Sequence, residues 1–327
     1  MALDHYVPQV HLKRFYSPAL GERFYAIKKK NMARFTPNSK GVCAINYGNT
    51  NAYLQDERII EEFLGMIETN YNDSVDKIAS GKIDNQCITT IAGIFSSIMV
   101  CSPTGMRIQS APLRAIVQST AEIAEKGGYV QPPPAELFGG KGITDLLRDK
   151  TIRISVDPKY PQAIGIAAIL EFTKTFGNAR WEVIHNRFSD CPFFTSDFPL
   201  PIEQSSNPRV LNRVFPLTPF LAIRIYPNIK LVRSTLDFDF KHFMHNNVYP
   251  SRPEIIEINR RIVQCAEELV FFRDDAPWIE AFVEKHRGFW LEAATQTIKL
   301  PTGQAVIASQ RIARRPLEEP EPSFEAL

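Results

Sequence analysis

The stretch "RVFPLTPFLAIRIYP", residues 213–227, decides the fold. Aromatic and β-branched residues fill it, and prolines punctuate it, which is the signature of strands joined by turns. Working outward, "RWEVIHN" (180–186), "CPFFTSD" (191–197) and "KLVRST" (230–235) carry the same signal. A sheet therefore runs through the middle of the chain. Near the start, "ERFYAIKKKNMARFTPNSKGVCAINY" (22–47) reads as two short strands around a basic, solvated turn.

Helical patterns lie between and after these strands. Residues 55–82 predict one long helix, with Ile60, Leu64, Ile67, Tyr71, Val75 and Ile78 on its apolar face and Gly81 as its stop. Residues 85–101 are apolar nearly all round, as in a buried helix ending before Pro103. Residues 110–126 and 161–177 predict two more helices, separated by a Gly- and Pro-rich loop over 127–142. Residues 253–272 predict another, with Ile256, Ile258, Ile262, Val263 and Leu269 facing inward and residues 278–288 extending it. A late hairpin is expected around Pro301-Thr302-Gly303. This grouping argues for α+β: a mainly helical chain with a central, largely antiparallel sheet. The expected organisation is one domain over 1–310 and a disordered, charged tail over 311–327.

The chain has 327 residues, 44% of them hydrophobic, enough for a large core, and a formal charge of only +2, so net charge does not imply a nucleic-acid partner. Five scattered cysteines form neither a disulfide framework nor a zinc pattern, and no apolar run is long enough to span a membrane. The cytoplasm is the expected location. No GxxxxGK[ST] or GxGxxG loop is present, so no nucleotide cofactor is expected; GxSxG and HExxH are absent as well.

Three constellations could carry chemistry. On the helix over 55–82, Glu57, Glu61 and Glu68 fall within about 40° on a wheel turning about 100° per residue, along one edge of the apolar stripe. Carboxylates beside an apolar face shift toward neutrality, as acid–base and metal-binding groups do; more often such glutamates reach water or a nearby cation. In "FFTSDFPLP" (193–201), Ser196 and Asp197 end a strand and Pro199 turns the chain out. There Asp197 is either a ligand and base on a rigid element or the anchor of a local turn. The opening "HYVPQVHLKRF" (5–15) offers His5 as acid, base or ligand, Tyr6 and Gln9 as hydrogen-bonding groups and Arg14 as a phosphate partner. His5 and His11 have weak metal spacing. Tyr6, Val7, Leu12 and Phe15 equally fit a segment anchored on the domain. Arg107, just past a buried helix, is placed to guard a pocket.

These segments, in the order "HYVPQVHLKRF", "EEFLGMIE", "FFTSDFPL", "VFPLTPFLAIRI" and "INRRIVQCAEELVF", resemble a mainly bacterial domain-of-unknown-function family, numbered four-two-three-eight, over roughly residues 4 to 275. Here His11 stands where the family has tyrosine, and a Leu-Arg-Thr-Pro-like motif is degraded to "VCSPTGMR" (100–107). The resemblance implies no reaction. It implies that His5, Tyr6, Pro8, Gln9, Arg14, Glu61, Glu68, Ser196, Asp197, Pro199, Pro216 and Asn259 matter together, with the polar ones drawn into one pocket.

Two functions follow as expectations. In the first, the protein is a metal-dependent hydrolase, a phosphodiesterase or nuclease, with His5, Glu61, Glu68 and Asp197 catalytic. Glu61, Glu68 and Asp197 would hold Mg²⁺ or Mn²⁺, and Tyr6, Gln9, Arg14 and Ser196 would bind a nucleic acid or another phosphate ester. In the second, the same residues are structural parts of a non-catalytic binding or sensor module. A metal-free route with Ser196 or Asp197 as nucleophile has no motif behind it.

Overall fold

The computed structural model describes residues 2–205, 207, 210–232, 235–300 and 303–316. The fold is α+β, as the sequence implies, but the sheet is divided. The N-terminal part holds β1 (Leu3–His5), α1 (Gln9–Lys13), β2 (Tyr25–Lys28), β3 (Arg34–Phe35) and β4 (Ala44–Asn46). Then come α2 (Ile59–Glu68), α3 (Tyr71–Ala79), α4 (Asn85–Cys101) and α5 (Pro103–Lys126). The Gly- and Pro-rich stretch is mostly irregular but contains α6 (Ala135–Phe138), and α7 (Ile143–Arg148), α8 (Lys159–Ala167) and α9 (Ile169–Gly177) follow. Strands β5 (Arg180–His185), β6 (Thr195–Ser196), β7 (Ile202–Gln204), β8 (Leu211–Thr218), β9 (Leu221–Tyr226) and β10 (Met244–Val248) come next. The described chain closes with α10 (Arg252–Cys265), β11 (Leu269–Phe272), α11 (Trp278–His286), β12 (Phe289–Leu300) and β13 (Gly303–Arg314).

Residues 213–227 form most of the β8–β9 hairpin, with a bulge between Pro216 and Thr218. Pro216 donates nothing to the ladder, and a bulge is where a strand tolerates that. The hairpin lies inside a five-stranded sheet of order β10-β5-β9-β8-β7, antiparallel except for the β10–β5 pair. Side-chain alternation splits this sheet between two cores. Trp181, Val183, Phe215 and Ile223 face a helical layer, whereas Ile184, Val214 and Ala222 face α10. Helix α4 is the hub of the helical layer, and its Phe95 meets both Phe176 and Phe215. A four-stranded sheet, β3-β2-β11-β6, lies alongside, and β1–β4 and β12–β13 form two-stranded ladders.

Several local expectations need correction. The helix over 55–82 breaks into α2 and α3, because Thr69 Oγ1 and Asn70 Nδ2 bond back to the Gly65 and Met66 carbonyls and so compete with the helix. Gly81, at φ +72, ends α3 in the left-handed region. The stretch 161–177 is likewise two helices, with Ala168 between them. The predicted 253–272 helix stops at Cys265, and residues 269–272 are an inner strand. A short apolar run does not distinguish a strand from a helix by period. Its inward residues are Ile255, Ile258, Ile262 and Val263, while Ile256 is exposed. Helix α11 is separate. Lys230–Val232 are not strand, and positions 233 and 234 lie outside the described residues. The late hairpin forms and is longer than expected: β13 runs to Arg314, so residues 311–314 are strand rather than tail. Positions 301 and 302 and the rest of the tail from 317 lie outside the described residues. Among the described residues, no single helix is long and apolar enough to cross a membrane.

Candidate functional site

The N-terminus is tied down by a ladder. β1 pairs antiparallel with β4, and the Tyr6 N–H continues it to the Cys43 carbonyl at 2.9 Å. Strand alternation then separates the side chains. Asp4 turns inward and accepts from the Asn49 N–H and from both terminal nitrogens of Arg58. His5 turns the other way, half-buried, with Nε2 only 3.3 Å from the Lys40 carbonyl. Tyr6 turns inward again, beside the Cys43 thiol. That is why His5 does not meet the acids expected of it.

The other residues of the opening are also engaged. Gln9 Oε1 accepts from Ser39 Oγ. Arg14 directs its guanidinium to Asn72 Oδ1, the Asn72 carbonyl and Asp76. His11 is fully buried, bridging Tyr71 Oη at 2.8 Å and Thr195 Oγ1 at 2.9 Å while stacked on Phe215. Burial holds its pKa down at about 3, so the imidazole is neutral.

Asp197 is buried at the end of β6, and both oxygens of its carboxylate are engaged. Oδ1 accepts the Glu267 N–H at 2.8 Å; Oδ2 accepts the Glu268 and Leu269 N–H groups at 2.7 and 2.9 Å. It caps the turn that carries the chain from α10 into β11. Other groups grip the same turn. Lys29 Nζ donates to the Ala266 and Phe289 carbonyls. Arg107 forks onto Glu267 at 3.1 and 2.6 Å, and Thr104 Oγ1 adds a bond at 2.6 Å. The Arg107 guanidinium lies 3.9 Å over Trp290 and donates to the Leu291 carbonyl. Arg315 donates to the Glu267 carbonyl and pairs with Glu268.

Electrostatics follow from burial. Desolvation pulls the Lys29 ammonium below its usual value, while Asp197 and Glu267 pull it back. Desolvation pushes Asp197 up, against its bonded N–H groups and Lys29. Glu267, despite burial, is held down by Arg107 and Thr104. The Tyr6 and Cys43 protons are held on, chiefly by burial. This constellation is a closed interlock rather than an open pocket.

Ser196 is buried, and its Oγ accepts the Phe198 N–H. Asn259 uses both ends of its amide on the Phe194 N–H and the Pro192 carbonyl. Glu61 faces Asn49 Nδ2 and Arg58. Glu68, half-buried on α2, has no hydrogen bond or ion pair among the described residues, and burial with Glu61 nearby raises its pKa to about 7. Among the described residues, no three His, Cys, Asp or Glu side chains stand together in a group that could hold a metal ion, so Glu61, Glu68 and Asp197 are not gathered.

Sequence reasoning missed Asp4, Lys29, Thr104 and Glu267. Lys29 belongs to a basic run whose charge implies a solvated turn, yet it follows Ile27 by two and so shares the buried face. That phase was a usable signal. Glu267 lay in a segment read as helix. Arg107, expected to guard a pocket, instead closes onto Glu267 and the Trp290 ring.

Among the open clefts lined by described residues are two that bear on these groups. One, of about 430 Å³, lies between α3 and the β5 and β8–β9 ends; it contains Arg14 already paired with Asp76, and Tyr249 with Arg187 3.9 Å over its ring. The other, of about 330 Å³, lies where α9 gives way to β5. Residues 4–98 match the model of a family described as protein of unknown function (DUF4238), so this part of the chain is similar to that family. No curated protein and no solved structure matches the chain.

Proposed function

We propose that the chain is a non-catalytic binding module in which the motif residues are an internal interlock. The observation that carries this reading is the Asp197 carboxylate, whose two oxygens receive three backbone N–H groups. An acceptor so occupied has little left for a metal or a proton in flight. Removing it would orphan three part-buried donors, at up to ~1–3 kcal/mol each. His11, Gln9, Arg14 and Asn259 are occupied in the same way. The five cysteines are buried free thiols, which suits a reducing cytoplasm.

The second reading, a hydrolase, is supported by Glu68. An unpaired carboxyl near pH 7 beside Glu61 suits a general acid or base. The experiment is turnover of a generic phosphodiester with Mg²⁺ or Mn²⁺, beside thermal melts of Asp197→Asn and Glu68→Gln. The binding reading expects no turnover and a lowered melting temperature for Asp197→Asn. Metal-dependent turnover that Glu68→Gln abolishes without altering the melt would replace it by the hydrolase.

A further inference from the structure

The cleft where α9 gives way to β5 differs from every other polar cluster described. Among the described residues, its lining includes Arg180, Lys230 and His242 and no Asp or Glu. The Arg180 guanidinium lies 4.1 Å over the Tyr226 ring. Its nearest carboxylate, Glu182, is 3.6 Å away and already receives Arg224 at 2.8 Å and Tyr226 Oη at 2.7 Å. Lys230 Nζ and the His242 ring have no hydrogen bond or ion pair among the described residues. Two cations beside an imidazole, with one shared carboxylate at 3.6 Å between them and Arg224, leave positive charge on a concave surface, which attracts an anion.

The cleft is also built. Asn178, almost fully buried, donates to the Lys174 and Asp237 carbonyls and accepts the His242 N–H, so the segment bearing His242 is held in place. Asn228 Oδ1 accepts the Lys230 N–H and shapes the opposite wall. Asn212 lines the cleft from β8 with 7% exposure, and its Oδ1 has no partner. With the oxygen unbound, the amide can turn to present either its donor or its acceptor end. A volume of about 330 Å³ suits a small ligand rather than a polymer groove.

We infer that this cleft binds a nucleoside monophosphate. Its phosphate would sit among Arg180, Lys230 and His242, and the donor and acceptor edge of its base would meet Asn212. The inference rests on the binding reading above and names that module's ligand. It needs no glycine-rich phosphate loop, because side-chain cations replace one.

The test is calorimetric titration of the full chain with AMP, ribose 5-phosphate, inorganic phosphate and adenosine. AMP should bind, ribose 5-phosphate and phosphate more weakly, and adenosine not measurably. Lys230→Ala and Arg180→Ala should each weaken AMP at least tenfold with unchanged melting temperatures, and Asn212→Leu should bring AMP down to ribose 5-phosphate. AMP affinity in both cation variants equal to that of the parent chain, or equal binding of adenosine and AMP, would overturn the site. Conversion of AMP to adenosine in the same cell would overturn the binding-only reading while supporting the site.

Discussion

The turn over residues 265–269 and the cleft beside Lys230 are both rich in charge, yet one is closed and the other open. At the turn, Lys29, Arg107 and Arg315 face Asp197, Glu267 and Glu268, and backbone groups take up the remaining valences. At the cleft, the cations outnumber their partners. Charge that meets its complement inside the chain stabilises the fold, and charge left without one is available to a ligand. The contrast teaches that residues marked by motifs need not be the ones that touch a ligand.

The largest effect should come from breaking the closed region. Arg107→Ala leaves Glu267 buried without its fork, so urea unfolding should show a loss of about 3–5 kcal/mol. A loss below about 1 kcal/mol would mean that the turn is not under load. Next comes His11. Its folded pKa, about 3, lies below its ordinary 6.5, so the unfolded chain takes up the proton first. Stability is then full above pH 6.5 and falls as pH drops toward 3, by a few kcal/mol. His11→Gln should flatten that acid limb, and an unchanged limb would assign it to other groups.

Glu68 should act with the opposite sign and less strongly. Its folded pKa, about 7, lies above its ordinary 4.5, so its stabilising share is present below pH 4.5 and is lost as pH rises to about 7. The loss should be roughly 2 kcal/mol after allowance for its partial exposure. Glu68→Gln should remove that slope in urea titrations at successive pH values, and a slope that survives would contradict the burial argument. The smallest effect belongs to the open region. Lys230→Ala should change unfolding free energy by no more than about 0.5 kcal/mol. A larger change would show that Lys230 supports the fold, and the contrast between the regions would blur.

Much of the architecture was legible. The β8–β9 hairpin, the buried α4 and the stop at Gly81 follow from local pattern, because period, proline and glycine act within a few residues. The breaks at Thr69-Asn70 and Ala168 were not, since apolar spacing continues smoothly across both. The interlock was legible only as residue types. Asp197 looked equally like a ligand and a turn anchor, and its partners turned out to be main-chain N–H groups about seventy positions away, which no side-chain pattern announces. His5 failed to join for a local reason that alternation alone supplies: Asp4 and Tyr6 occupy the inward face. The cleft left no motif, because Arg180, Lys230 and His242 come from separate segments brought together only by the sheet.

The most direct test of the central claim is urea unfolding of Asp197→Ala, with the milder Asp197→Asn beside it, together with AMP affinity of the folded fraction. The account predicts a loss of at least about 3 kcal/mol in the alanine variant, a smaller loss in the asparagine variant and unchanged affinity. Stability within about 0.5 kcal/mol of the parent, with AMP binding abolished in both variants, would contradict it.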